Sequence, residues 1–176
     1  DDGRPVYDGY LIKHSGGVTK IAHCAQVPPE GDPRQVTRNI GVPVIAVVAQ
    51  GEVPTSLEAR RDASDAPGDR YRLYEVAGAT HLDRYPYAAL PSIADSTAAG
   101  TAQGTPDWPF NVRCTPETQL SDLPLLKFIF ASSLDNLDAW VRTGTAPPKA
   151  TRLQIKDAAA SPPTLVTDEW GHGGGG

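Results

Sequence analysis

The sequence contains no methionine and only two cysteines. It also lacks any apolar run approaching the roughly 20 residues that a membrane-spanning helix needs. Without methionine the chain does not open at a start codon, and no signal-peptide pattern is present. Asp1-Asp2-Gly3-Arg4-Pro5 reads as mid-protein loop and the far end runs into four glycines, so the chain is expected to be a portion of a longer protein. Positive charge is in the minority. A formal net charge of −5 offers no electrostatic footprint for nucleic acid or an anionic membrane, and neither is expected as a partner. No HExxH, CxxC, P-loop or His/Asp cluster at ligand spacing occurs, so neither a metal nor a nucleotide cofactor is expected.

What is present suits a single globular unit. A chain of 176 residues can bury a real core, and residues 1–176 read as one partial domain. The 17 glycines and 17 prolines point to many loops, because apolar segments recur along the whole length. Cys24 and Cys114 form an even pair far apart in sequence. An internal disulfide is favoured over two free thiols or bridges to other parts of the protein, and would imply a secreted or periplasmic setting. Closing so long a loop contributes ~4 kcal/mol in the chain-entropy picture.

Val42 to Ala49 shows no polar alternation and is rich in Val and Ile, as in a parallel strand covered on both faces. Pro43 fits only near its start. After the turn at Gln50-Gly51-Glu52-Val53, the stretch Pro54 to Arg61 has a helix-start signature, with Thr55 and Glu58 at capping-box spacing. Residues 62–69 read as a polar loop and Tyr71 to Val76 as the next strand, which together predict a βαβ unit. Upstream, Val6 to Lys13 is a candidate strand with a bulge at Gly9, and 25–39 an exposed loop. Residues 85–119 show no clear period and are expected to be a long loop, either a surface excursion or a lid or pocket wall. Leu125 to Thr143 is the clearest helix. Leu126, Ile129, Phe130, Ser133, Leu134, Leu137, Trp140 and Val141 make one stripe, with Pro124 before it and Gly144 after it. Thr151 to Ile155 and Thr164 to Thr167 are short β segments around Ser161-Pro162-Pro163.

Two residues stand out chemically. In an open parallel sheet, ligands gather outside the carboxyl ends of the strands. Glu52 lies three residues past one such strand, and His81 lies just past the next, 29 positions on. A carboxylate there can orient an imidazole through Nδ1–H, and the imidazole can act as a general base near neutral pH. Either residue alone has an ordinary reading, a solvated loop acid or an unremarkable histidine. Together they are expected to be catalytic. Asp83 is either a rival partner for His81 or an ordinary loop acid, Asp8 a candidate supporting acid, and Glu75 a strand residue on a polar or packing position. His14 beside Ser15 reads as a polar turn. His172-Gly173-Gly174-Gly175 has the H-G-G-G spelling of the oxyanion loop of lipases, but follows the acid and histidine where that loop precedes the nucleophile. It is expected to be a flexible end.

Three segments carry a resemblance: Val42 to Val53, Asp69 to Asp83 with its Glu75-Val76-Ala77-Gly78-x-x-His81-x-Asp83 pattern, and Leu137 to Pro148. They resemble the C-terminal half of an α/β-hydrolase-domain family, and Asp168-Glu169-Trp170-Gly171 resembles its closing region. The likeness covers about residues 6–13 and 42–176. It implies the C-terminal part of an α/β-hydrolase sheet, with parallel strands and flanking helices, incomplete without an N-terminal portion. It also implies a serine hydrolase cleaving carboxylic esters, with the acid at Glu52 and the histidine at His81. Gln50 departs from the pattern, standing where many relatives carry an acid. No G-x-S-x-G occurs, so the nucleophilic serine is expected in an N-terminal portion outside this chain. The expected partners are that portion and a small-molecule ester. The alternative is a non-catalytic α/β binding or structural module that has lost the chemistry.

Overall fold

The computed structural model describes residues 5–13, 26, 28–29, 31–81, 93–98, 100 and 125–175. Among these residues four strands form one sheet: β1 (Tyr10–Lys13), β2 (Val44–Ala49), β3 (Ser64–Ala66) and β4 (Asp69–Val76). Their spatial order is β1-β2-β4-β3, parallel from β1 to β2 and from β2 to β4, with β3 antiparallel to β4. Helix α1 (Ile93–Ala98) and helix α2 (Leu125–Thr143) follow. A two-stranded antiparallel ribbon, β5 (Ile155–Asp157) and β6 (Thr164–Leu165), comes last.

Strand β2 is the spine. All six of its residues are buried, which is why its sequence shows no alternation. Val44, Ala46 and Val48 pack on one face with Val53, Tyr71, Leu73 and Leu153. Ile45, Val47 and Ala49 pack on the other with Leu126, Leu137 and Trp140 of α2. Each large aliphatic side chain so buried contributes about 1.5–3 kcal/mol relative to leaving it in water. The sheet therefore has α2 on one side and the Leu153–Leu165 region on the other. Gly9 allows the close approach of α2. A Cβ there would lie 3.0 Å from Leu137 Cδ1 and 3.1 Å from Val141 Cγ2.

Helix α2 has the bounds its periodicity predicts, and Gly144 follows with φ of +75° and its N–H on the Trp140 carbonyl. One stripe position differs: Leu134 is 58% exposed. The buried line runs through Leu126, Ser133, Leu137 and Trp140 instead. Trp140 covers the guanidinium of Arg72, 4.7 Å from its ring centre. Arg72 is buried because its donors are used, with Nε on the Pro147 carbonyl and Nη2 on Asp65.

The connection from β2 to β4 corrects the predicted helix. Residues 50–55 and 57–59 form 3-10 turns, and the chain between the two parallel strands holds no α-helix. The hydroxyls of Thr55 and Ser56 both donate to the Glu52 carbonyl, which competes with helical pairing, and Pro54 removes a backbone donor. Arg60 and Arg61 are drawn instead to Glu75 and Asp69. The predicted loop at 62–69 contains β3, hairpinned onto β4 through Pro67-Gly68, where Gly68 has φ of +82°. The structured part of the first segment starts at Tyr10, so β1 is shorter than Val6 to Lys13. Within 85–119 the described residues include the one-and-a-half-turn helix α1. Apart from Gly100, the remainder of that stretch lies outside the described residues, as do Cys24, Cys114, His14, Ser15 and Asp83.

The glycine-rich end is tied into the structure and does not form a free tail. Gln154 N–H donates to the Gly174 carbonyl at 2.8 Å, and Gly174 N–H donates to the Val166 carbonyl at 2.8 Å. Leu153 bridges to Gly175 and Thr167 to Gly173.

Candidate active site

Register brings the candidate residues to one rim. Ala49, the last residue of β2, pairs with Val76, the last residue of β4. The two turns therefore leave the sheet at the same level. Lys13, ending β1, pairs with Val47 and sits two residues below that level.

On the first turn the backbone curls straight into a 3-10 conformation after Ala49, which folds Glu52 back over the strand end. Its Oε2 accepts the Ala49 N–H at 2.9 Å, so the carboxylate is held by the strand it follows. The side chain is only 6% exposed. From the second turn His81 places Nδ1 2.5 Å from Glu52 Oε1. The ring is 55% exposed, so the pair consists of a buried acid and an imidazole open to solvent. Lys13 Nζ lies 3.4 Å from the same Oε1 and 3.1 Å from Nδ1. A carboxylate can only accept, so the short contact takes Nδ1–H as its donor to Glu52, and the lysine ammonium, which cannot accept that proton, adds positive charge beside the carboxylate. Being part-exposed, that contact contributes about 0–1 kcal/mol.

Both predicted residues thus meet. Of the other acids, Asp8 is exposed ahead of β1. Glu75 is a buried structural anchor, taking Arg60 Nε at 2.6 Å, Arg60 Nη2 at 2.7 Å and the Leu153 N–H at 2.8 Å. That network fastens the C-terminal segment to β4. Among the described residues no group of three or more His, Cys, Asp or Glu side chains is disposed to hold a metal.

Sequence reasoning missed two residues. Lys13 was the end of a strand whose register could not be known, so nothing marked it as a neighbour of His81. Gln50 links three segments: its Oε1 accepts the N–H groups of Gly78 and Gly173, each at 2.7 Å, and its Nε2 donates to the Gly171 carbonyl at 2.6 Å. The closing segment therefore belongs to the rim. There Asp168 accepts the N–H groups of Trp170 and His172, and its second oxygen lies 3.1 Å from His172 Nδ1. The His172 backbone N–H is the largest influence holding the Asp168 carboxyl below the usual range. His172 covers Gly78, where a Cβ would come within 3.1 Å of the ring and φ is +70°. Only glycine suits both demands.

Parallel strands deliver a carboxylate and an imidazole to one carboxyl-end rim, the place where open α/β sheets gather their ligands. The family model for the alpha/beta hydrolase domain matches residues 1–176, and the chain belongs to that family. At the level of class it is therefore a hydrolase. Neither a curated protein nor a solved structure matches the chain.

Proposed function

We propose that the chain supplies the acid and the base of a serine hydrolase that cleaves carboxylic esters, the nucleophilic serine coming from a portion outside these 176 residues. The observation that carries this reading is the Glu52–His81 contact, made between turns that leave neighbouring parallel strands at one level. With Nδ1–H given to Glu52, Nε2 is the ring nitrogen with a lone pair for the serine proton. The serine Oγ attacks the ester carbonyl carbon as His81 Nε2 takes its proton. Backbone N–H groups of the missing portion hold the oxyanion. Collapse of the tetrahedral species expels the alcohol, which takes the proton back from His81 and leaves an acyl-enzyme. Water then attacks, again losing a proton to His81, and the acid departs as the serine is restored. Glu52 holds the ring in orientation and stabilises the imidazolium at each step.

A serine-directed fluorophosphonate tests this on the assembly that includes the missing portion. The label is expected on one serine outside residues 1–176, with labelling abolished in His81→Ala while the fold persists. An unlabelled assembly, or equal labelling in His81→Ala, favours the non-catalytic module instead.

A further inference from the structure

We propose that Gln50 is a positioning residue, holding the loop that carries His81 at the height where its ring meets Glu52. The inference rests on the reading of Glu52 and His81 as an acid–base pair. Glu52 has its own anchor in the Ala49 N–H. His81 sits instead on an irregular loop that has left β4, and a loop without an anchor cannot keep a ring at 2.5 Å from a fixed carboxylate. One side-chain anchor of the loop is the Gly78 N–H on Gln50 Oε1. A longer backbone bond, Gly51 N–H to the Ala79 carbonyl at 3.4 Å, runs beside it. Gln50 is two residues from Glu52 and Gly78 three from His81, so one amide fixes the spacing of both turns.

The amide is matched to the site. Both lone pairs of Oε1 are taken, by Gly78 and Gly173, and an Nε2 hydrogen goes to the Gly171 carbonyl. One amide orientation satisfies all three contacts. A carboxylate of the same length would accept both N–H groups but would face the Gly171 carbonyl without a proton to give. The two halves of the amide therefore serve different segments: the oxygen serves the His81 loop and the nitrogen the closing turn at 168–172.

Gln50→Leu and Gln50→Glu separate these roles. In the native assembly, amide exchange at Gly78 and Gly173, the downfield Nδ1 proton signal of His81 and ester turnover are measured together. Gln50→Leu is expected to speed exchange at both glycines about tenfold or more. It is also expected to erase the downfield signal and to lower kcat about 10–100-fold with KM within about threefold. Gln50→Glu is expected to keep Gly78 protected, retain the signal and hold kcat within about threefold, while exchange in the 168–172 turn rises. Gln50→Leu with faster exchange at Gly78 but an intact His81 signal would overturn the proposal. If Gln50→Leu fails to fold, Gln50→Glu decides, since loss of the His81 signal in a variant that keeps the acceptor contradicts it. An assembly that turns over no ester defeats the proposed function alone, and the exchange and proton signals still judge Gln50.

Discussion

Among the described residues two carboxylate–imidazole pairs stand at the same rim, and they are built differently. Glu52 and His81 come from turns 29 residues apart, and their meeting depends on the register of two strands. The acid is buried, and its partner reaches it from a different loop. Asp168 and His172 are four residues apart in one turn, both about half exposed, and the same carboxylate is occupied with the turn's own N–H groups. A local pair of this kind is what a short polar turn makes for itself. A buried carboxylate pointed at a distant imidazole requires the whole sheet to hold it. Distance in sequence and burial of the acid, more than the contact itself, separate the candidate machinery from the scaffold.

The comparison sharpens most with Glu52→Gln. It keeps the shape of the acid but removes its charge, and kcat is expected to fall about 100- to 10,000-fold with KM little changed, read by steady-state ester hydrolysis. A loss under threefold would place Glu52 with Asp168 as a scaffold residue. Next comes the dependence of the long-range pair on packing. Trp140→Ala should destabilise the protein by about 3–5 kcal/mol, followed by denaturant melts, because it opens a cavity beneath β2 and uncovers Arg72. An unchanged midpoint would mean that α2 does not hold the sheet that brings the pair together.

A smaller effect concerns acid. The carboxyls of Asp69 and Asp65 are held below the usual range chiefly by hydrogen bonds from Arg61 and Arg72 respectively. A lowered folded-state value means that their stabilisation is fully present above the unfolded value of about 3.9 and is lost as pH falls through the folded one. Melting temperature should therefore drop below about pH 4, and Asp69→Asn should flatten part of that drop. A profile unaltered by the substitution would contradict the pairing. Smallest is the local pair itself. The His172 amide nitrogen shift should follow the Asp168 carboxyl, titrating below the usual carboxylate range, and Asp168→Asn should remove that step. A step that survives Asp168→Asn would contradict the local pairing.

Much of this was legible in sequence where periodicity is strong. Val44–Ala49 and Leu125–Thr143 announce a two-sided strand and an amphipathic helix, and the positions of Glu52 and His81 follow from where the strands end. The helix predicted after Glu52 was not to be had from spacing alone, because two hydroxyls and two arginines found better partners in the folded state. Strand β3 had a signal in Pro67-Gly68, hidden by its polar, exposed residues. Lys13 and Gln50 could not be found, because Lys13 reaches side chains 39 and 68 residues away and Gln50 reaches backbone groups 28 to 123 residues away, and no local pattern encodes such contacts.

The central claim is tested most directly by turnover in two single variants of the native assembly, His81→Ala and His172→Ala, assayed side by side on one ester. The account predicts that the first loses about a thousandfold or more in kcat, while the second stays within about twofold of wild type. Wild-type turnover in His81→Ala, or an equal collapse in both, would contradict it.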